Sequence, residues 1–301
     1  MHKSTIILAG ICLSLAAVTG FSVWLLATHE SERPSTPLAG GASINLGLPG
    51  LGEPDGKERV FTAGSALLYD TTSNTILFEQ NAFERKPIAS ITKLMTAIVA
   101  LDMGIDWDAP ATIQPEEYVQ GGRLLLHPGE TVTMRDLFNA SLLGSANNAT
   151  LAYVRELGVP KDEFLREMNR KAIELGLEQT EFADVTGLDT GNVSTAYEVA
   201  RIAQVAFDQY PEIAAATSQQ EYVFVVGETR REHTIRNTNK LVSQWDEQVS
   251  GSKTGYLYEA RYCLVVQGTG EQAGRIAVIL DSPSEVEHFA DIRKLLYMHT
   301  Q

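Results

Sequence analysis

The sequence predicts an α+β fold in which a cluster of helices packs against one antiparallel sheet. Three observations predict it. Apolar residues recur at spacings of three and four from about residue 90 to residue 218, and at spacings of two on either side of that stretch. The chain has 301 residues, 44% of them hydrophobic, which is enough to bury a sizeable core. Neither G-x-G-x-x-G nor a P-loop lysine motif occurs, so the dinucleotide-binding and P-loop folds drop out.

From Ser4 to Thr28 no residue is charged, and Trp24 sits near the far end of the run. At about 1.5 Å per residue such a segment spans a ~30 Å hydrocarbon core with some tilt. Lys3 precedes it and Glu30 and Glu32 follow, so residues 1–29 read as a transmembrane anchor with the N-terminus inside and the remainder exported. A cleaved secretory signal is the competing reading, but the run is long for one and offers no A-x-A-like site. Leu8-Ala-Gly-Ile-Cys12 has one residue too many for a lipoprotein box, which leaves Cys12 as a passive membrane residue. Residues 30–57 carry Pro34, Pro37, Pro49, Pro54 and six glycines without periodicity, and read as a flexible linker with a reach on the order of 30 Å.

Residues 58–301 then form the functional domain. Ser65–Tyr69 and Thr75–Phe78 read as a hairpin. Ser90 opens a helical pattern through Leu94, Ala97, Ile98 and Leu101. Thr133 and Asp136 suggest a capping box for the next helix. Gly144 ends that helix, and another follows from about Ala146 to Leu157. Asp162–Leu175 is amphipathic and stops at Gly176, while Thr195 and Glu198 cap a helix running to about Phe207. A short helix follows Pro211. Tyr222–Val226, His233–Arg236, Tyr262–Gln267 and Ile276–Leu280 read as strands, and Ser284–Met298 as a closing helix that presents Phe289, Ile292, Leu295 and Leu296.

The charge balance narrows the function. With 24 Lys and Arg against 38 Asp and Glu, the net charge is −14. That argues against nucleic acid or anionic lipid as the main partner, because phosphate binding needs a basic face. Two cysteines, Cys12 and Cys263, exclude a disulfide framework and paired-cysteine zinc sites. The six histidines show no ligand spacing, so no metal site is expected. Cys263 falls in a strand expected to be buried and reads as core.

Three short motifs carry chemistry. Ser90-Ile-Thr-Lys93 is an S-x-x-K whose two side chains share one helix face. A serine hydroxyl needs a base, and a lysine serves only if burial or a nearby cation lowers its pKa. A helix start also aims backbone N–H groups at developing oxyanion charge. Ser145-Ala-Asn147 is an S-x-N between two helices, able to relay a proton and hold a carbonyl. Lys253-Thr-Gly255 suits a bound carboxylate: charge, a hydroxyl and a close backbone approach. Taken singly each is weak; Ser250-Gly-Ser-Lys253 and Ser43-Ile-Asn45 match the first two by accident. Bland readings also exist, as an N-cap, helix punctuation and an exposed turn. The trio in this order is far harder to obtain by chance, and it is shared by β-lactamases and penicillin-binding proteins.

Around these motifs the chain resembles the low-molecular-mass penicillin-binding proteins, the serine D-alanyl-D-alanine carboxypeptidases. The likeness runs over Ala89–Ala97, Ser145–Ala149, Phe164–Asn169 with Ala172, Leu175, Gly176, Thr180 and Phe182, then Gly187-Leu188, Ser194–Ala196, Asn237–Asn239, Lys253–Tyr256 and Tyr262–Leu264. It covers roughly residues 60–300. The resemblance implies the penicillin-binding protein and β-lactamase type of transpeptidase fold. It implies that Ser90 attacks the carbonyl between the terminal D-alanines of a peptidoglycan stem peptide and that Lys93 takes its proton. It also implies that Ser145 with Lys253 returns a proton to the leaving D-alanine. Asn147 would position the peptide, Thr254 would hold the terminal carboxylate beside Gly255, and the backbone N–H groups of Ser90 and Tyr256 would form the oxyanion hole. No cofactor is implied, and β-lactam antibiotics would be covalent inhibitors.

The chain also departs from the family. Relatives often carry a second, β-rich domain and a C-terminal membrane-binding helix, whereas here the closing helix is followed only by residues to Gln301, which makes residues 1–29 the expected anchor. His288 stands where relatives often have a carboxylate-binding arginine, and Arg261 replaces a glycine before Tyr262. Arg261 or a protonated His288 is therefore expected to supply the cation. A D,D-endopeptidase acting on crosslinks, a β-lactamase, and a non-catalytic wall-binding module remain as alternatives. Glu167 lies inside a helical signature, which disfavours it as a deacylating glutamate.

Overall fold

The computed structural model describes residues 51–52, 58–227, 229–243 and 249–298. The anchor expected over 1–29 and most of the linker expected over 30–57 lie outside the described residues. Within that linker Leu51–Gly52 pairs antiparallel with Glu58–Arg59, so this part is a short ladder rather than irregular chain. No helix among the described residues is long and apolar enough to cross a membrane.

The longer strands, in chain order, are β1 (Ser65–Asp70), β2 (Thr75–Gln80), β3 (Glu221–Val225), β4 (Glu232–Arg236), β5 (Val249–Leu257), β6 (Arg261–Gly268) and β7 (Arg275–Ser282). Five of them form an antiparallel sheet in the order β5-β6-β7-β1-β2. The early hairpin thus joins the late strands through β7 and β1, with Ile276 opposite Tyr69 and Val278 opposite Leu67. The hairpin of β3 and β4 does not join them, which corrects the expectation of one sheet. Its strands have little apolar face to offer: in β3 only Phe224 is buried. Tyr222 Oη donates to Asp136 at 2.7 Å and fixes the hairpin to the helical side instead.

Alternation along the sheet divides the core into two layers. Leu67, Tyr69, Cys263, Val265, Ile276 and Val278 face the helical cluster. Ala66, Leu68, Leu264, Val266, Ala277 and Ile279 face the closing helix. The longer helices are α1 (Thr92–Met103), α2 (Met134–Leu142), α3 (Asn147–Glu156), α4 (Lys161–Glu174), α5 (Ala196–Gln209), α6 (Pro211–Ser218) and α7 (Glu285–Leu296). α1 is buried continuously from Thr92 to Ala100, as a helix surrounded by others must be. α7 lies on the far face and buries Phe289, Ile292, Leu295 and Leu296, as its periodicity predicts.

The two expected caps form: Thr133 and Asp136 make a reciprocal box, and Thr195 accepts from the Glu198 N–H. The structure adds a third, in which Ser284 accepts from the Glu287 N–H. Each such cap is worth ~1 kcal/mol.

Candidate active site

Ala89–Ile91 form one 3-10 turn ahead of α1, so Ser90 precedes the helix rather than opening it. Ala89 has φ 46°, a left-handed conformation that costs ~1 kcal/mol in a residue with a Cβ. The turn brings Ser90 Oγ to 2.9 Å from Lys93 Nζ. Lys93 is fully buried. Its Nζ also donates to Asn147 Oδ1 at 2.7 Å and to the Thr186 carbonyl at 2.6 Å. Burial drives the Lys93 pKa well below the ordinary lysine range; the Lys253 charge pushes the same way and Asp184 opposes. A neutral amine has two N–H donors and one lone pair. In that form two acceptors that cannot donate, the Asn147 amide oxygen and the Thr186 carbonyl, would take the N–H groups and leave the lone pair for the Ser90 hydroxyl.

Ser145 sits in the turn between α2 and α3 with φ 55°. Lys253 Nζ donates to Ser145 Oγ at 3.0 Å and to the Thr254 carbonyl at 3.0 Å. Lys253 is buried, and burial alone brings its pKa down to about 7. The S-x-N and K-T-G motifs therefore meet through this contact, and the S-x-x-K and S-x-N motifs meet through Asn147.

Asn147 also has partners inside the protein. Its Oδ1 takes the Lys93 hydrogen bond while its Nδ2 donates to the Gln120 carbonyl at 2.7 Å. Its backbone N–H donates to Gly122. Both ends of the amide are thus engaged within the protein, and the side chain orients Lys93 between α1 and the 120–122 loop.

β5 forms the remaining wall. A Cβ on Gly255 would lie 3.0 Å from the Ile88 carbonyl oxygen and 3.1 Å from the Ser90 nitrogen, so glycine allows the strand to approach the nucleophile turn. Thr254 Oγ1 shares a 2.6 Å hydrogen bond with Thr238 Oγ1. Tyr256 extends outward, exposed, with its ring 4.5 Å from that of Tyr262.

Neither expected carboxylate-binding residue stands as an unpaired cation. His288 is on α7, across the sheet from the helical cluster, buried with its ring 5.4 Å from Tyr262 and 4.0 Å from Phe289. Burial pulls its pKa down to about 4, so it is neutral at neutral pH. Arg261 Nη1 lies 3.3 Å from Asp281, which engages its charge. Spacing finds the position equivalent to an arginine but carries no information on whether the ring there is hydrated.

Several contributors went unrecognised in the sequence. The Thr186 carbonyl, the third partner of Lys93, is a backbone group and leaves no trace in residue identity. Asp184 holds it in place by accepting from the Thr186 Oγ1 at 2.5 Å, from the Gly187 N–H at 2.7 Å and from Asn192 Nδ2. Thr238 lay within the Asn237–Asn239 likeness without an assigned role. Gly187, in the same likeness, marked the segment but not its function.

The arrangement is a serine 2.9 Å from a buried lysine of lowered pKa, and a second buried lysine 3.0 Å from a second serine. A family model described as D-alanyl-D-alanine carboxypeptidase matches residues 54–284. The chain belongs to this family. Among its D-alanyl-D-alanine peptidase relatives, a D-alanyl-D-alanine endopeptidase of Pseudomonas aeruginosa is 33% identical over 240 residues, covering 79% of this chain and 77% of the relative. The D-alanyl-D-alanine carboxypeptidase DacF of Bacillus subtilis is 32% identical over 271 residues, covering 87% and 69%. The solved structure of the Streptomyces K15 DD-transpeptidase superposes with a TM-score of 0.72 at 28% identity, over 80% of this chain and 97% of that one. The α+β architecture described above is therefore the fold of this penicillin-binding peptidase family.

Proposed function

We infer that the protein removes the terminal D-alanine from peptidoglycan stem pentapeptides through an acyl-enzyme on Ser90. The observation that carries the reading is the Lys93 amine, whose two acceptors leave its lone pair for the Ser90 proton. Ser90 Oγ bonds to the penultimate D-alanine carbonyl carbon as its proton passes to Lys93 Nζ. The backbone N–H groups of Ser90 and Tyr256 receive the oxyanion, each donor worth ~3 kcal/mol of barrier. The C–N bond then breaks. Ser145 Oγ gives a proton to the leaving nitrogen and regains one from Lys253. Water attacks the ester as its proton passes to Lys253, the bond between the acyl carbon and Ser90 Oγ breaks, and Ser90 takes back its hydrogen from Lys93, which returns both lysines to their starting states. Thr254 holds the substrate carboxylate.

β-Lactams are read as covalent inhibitors that stop at the acyl-enzyme; a penicillin-binding protein of Listeria monocytogenes solved with ampicillin bound is similar to this chain at a TM-score of 0.67 and 28% identity. The catalytic domain is placed on the cell-wall side of the membrane, with residues 1–29 as anchor and 30–57 as linker. Labelling with fluorescent penicillin followed by mass spectrometry tests the mechanism: an adduct on Ser90 is expected, and its absence refutes the acyl-enzyme. A second reading, cleavage of crosslinks, is favoured by the endopeptidase name of the Pseudomonas relative. D-alanine release from a pentapeptide, compared with cleavage of crosslinked dimers, separates the two.

A further inference from the structure

Under the proposed function the substrate carboxylate meets the Thr254 hydroxyl, while His288 is a buried ring with a pKa of about 4 and Arg261 is paired with Asp281. Beside Thr254, and linked to it by the Thr238 hydroxyl at 2.6 Å, opens a groove of about 670 Å³ whose lining includes Thr238, Arg236, Lys240 and Glu285. Arg236 stands at its outer part, 81% exposed and 3.7 Å from Glu221. Lys240 is 34% exposed, with Nζ 2.9 Å from Glu285 Oε2 and 5.8 Å from the centre of the Phe289 ring.

The backbone that carries Lys240 is fixed. Asn237 Nδ2 donates to the carbonyls of Thr217 and Gln219, and its Oδ1 accepts from the Asn239 N–H. Asn239 Oδ1 in turn accepts from the Leu241 N–H at 3.0 Å. Leu241 and Val242 are buried against the layer under α7. Thr238 and Lys240 therefore present a hydroxyl and an ammonium from one rigid turn, next to the strand that carries Thr254.

We propose that Lys240, with Thr238 and Thr254, forms the subsite for the free carboxylate next to the scissile bond, with Glu285 as the resident counter-ion that the substrate carboxylate displaces. The assignment rests on the peptidase reading of the same site. It gives a net −14 protein a local cation where an anionic peptide must dock. Glu285 competes with the ligand, so its removal strengthens binding, whereas removal of Lys240 weakens it.

The test is an NMR titration of full-length Ser90→Ala protein with a peptide ending in D-Ala-D-Ala and with its C-terminal amide. The parent is expected to bind the carboxylate form more tightly. Lys240→Met should weaken that form about tenfold, the loss of one charge-assisted hydrogen bond, and leave the amide unchanged. Lys240→Arg should retain most of the affinity, and Glu285→Gln should tighten the carboxylate form severalfold. Equal weakening of both peptides by Lys240→Met, no weakening of either, or a parent that fails to prefer the carboxylate overturns the subsite. Binding to Ser90→Ala needs no turnover, so failure of the peptidase reading shows separately, as wild-type protein that releases no D-alanine.

Discussion

Gly187 joins the two halves of the proposed catalytic machinery, and adding one methyl there separates them. The residue has φ 86°, and a Cβ would lie 2.0 Å from the Ala89 carbonyl oxygen and 2.8 Å from the Ser90 nitrogen. Left-handed strain accounts for ~1–2 kcal/mol in Gly187→Ala. The larger effect is steric, because both contacts are backbone and cannot rotate away. Either the Ala89-Ser90 turn moves, or Thr186 moves, whose carbonyl is 2.6 Å from Lys93 Nζ. A displacement on the order of 1 Å at reacting groups costs ~100-fold in rate, or ~2.7 kcal/mol of barrier. Gly187→Ala is thus expected to lose ~100-fold in the rate of Ser90 acylation by fluorescent penicillin and in kcat/KM for a D-Ala-D-Ala peptide. Gly158→Ala is the control: its φ is 73° but nothing lies within 4 Å of its Cβ, so it should lose only ~1 kcal/mol of stability and no activity. A folded Gly187→Ala protein within threefold of wild type refutes the reasoning, as does an equal loss in the control.

Lys253→Met should abolish turnover yet raise Tm by a few degrees at pH 6, roughly, because the folded pKa of about 7 lies below the usual lysine value and folding must there exclude a proton or bury a charge. The sign follows: the unfolded chain binds more protons between about pH 7 and the ordinary lysine pKa, so wild-type stability rises with pH across that window and the advantage of Lys253→Met shrinks; scanning calorimetry at several pH values checks it. kcat/KM should follow a bell, rising as Lys93 loses its proton and falling as Lys253 does, with the alkaline limb near about pH 7 in the free enzyme. Lys253→Arg should lose turnover while keeping the positive charge, since guanidinium does not give up the proton that Ser145 must regain. Asp184 raises the Lys93 pKa, so Asp184→Asn should move the acid limb to lower pH, together with a loss of stability from its broken loop contacts.

What the sequence made legible, and what it did not, divides along a physical line. Thr133, Thr195 and Ser284 mark helix starts because a capping oxygen acts within three residues of itself. Ser90 and Lys93 are three apart and meet for the same local reason. Asn147 and the Thr186 carbonyl, the partners that hold the buried Lys93, lie 54 and 93 residues away in sequence, and local pattern does not encode them. It does not encode the left-handed turns at Ala89 and Ser145 either. The β3–β4 hairpin shows the limit from the other side. Its period of two is real, but periodicity gives a strand and not the sheet it joins. His288 fails likewise: its place in the chain is that of a cation, and its neighbours Tyr262 and Phe289 make it a neutral ring.

The negative balance of the chain bears on the same lysines. A net charge of −14 by itself favours protonated lysine and would raise both pKa values. Lys253 is nevertheless pulled from 10.5 down to about 7, with burial as the cause, and Lys93 falls as well. Desolvation therefore outweighs the field of the whole protein inside the site, as it should where surface charges are screened over about 8 Å and buried ones are not. Asp184 sits close enough to oppose the shift at Lys93, but its carboxylate is spent on the Thr186–Gly187 loop rather than on the amine. Had it paired directly with Lys93, the ammonium would be stabilised and the base lost. Instead the amine is given an amide oxygen and a peptide carbonyl, dipoles strong enough to orient it and without the full charge that would hold its proton. The proposed role of Lys93 as the base thus depends as much on which acceptors surround it as on how deeply it is buried.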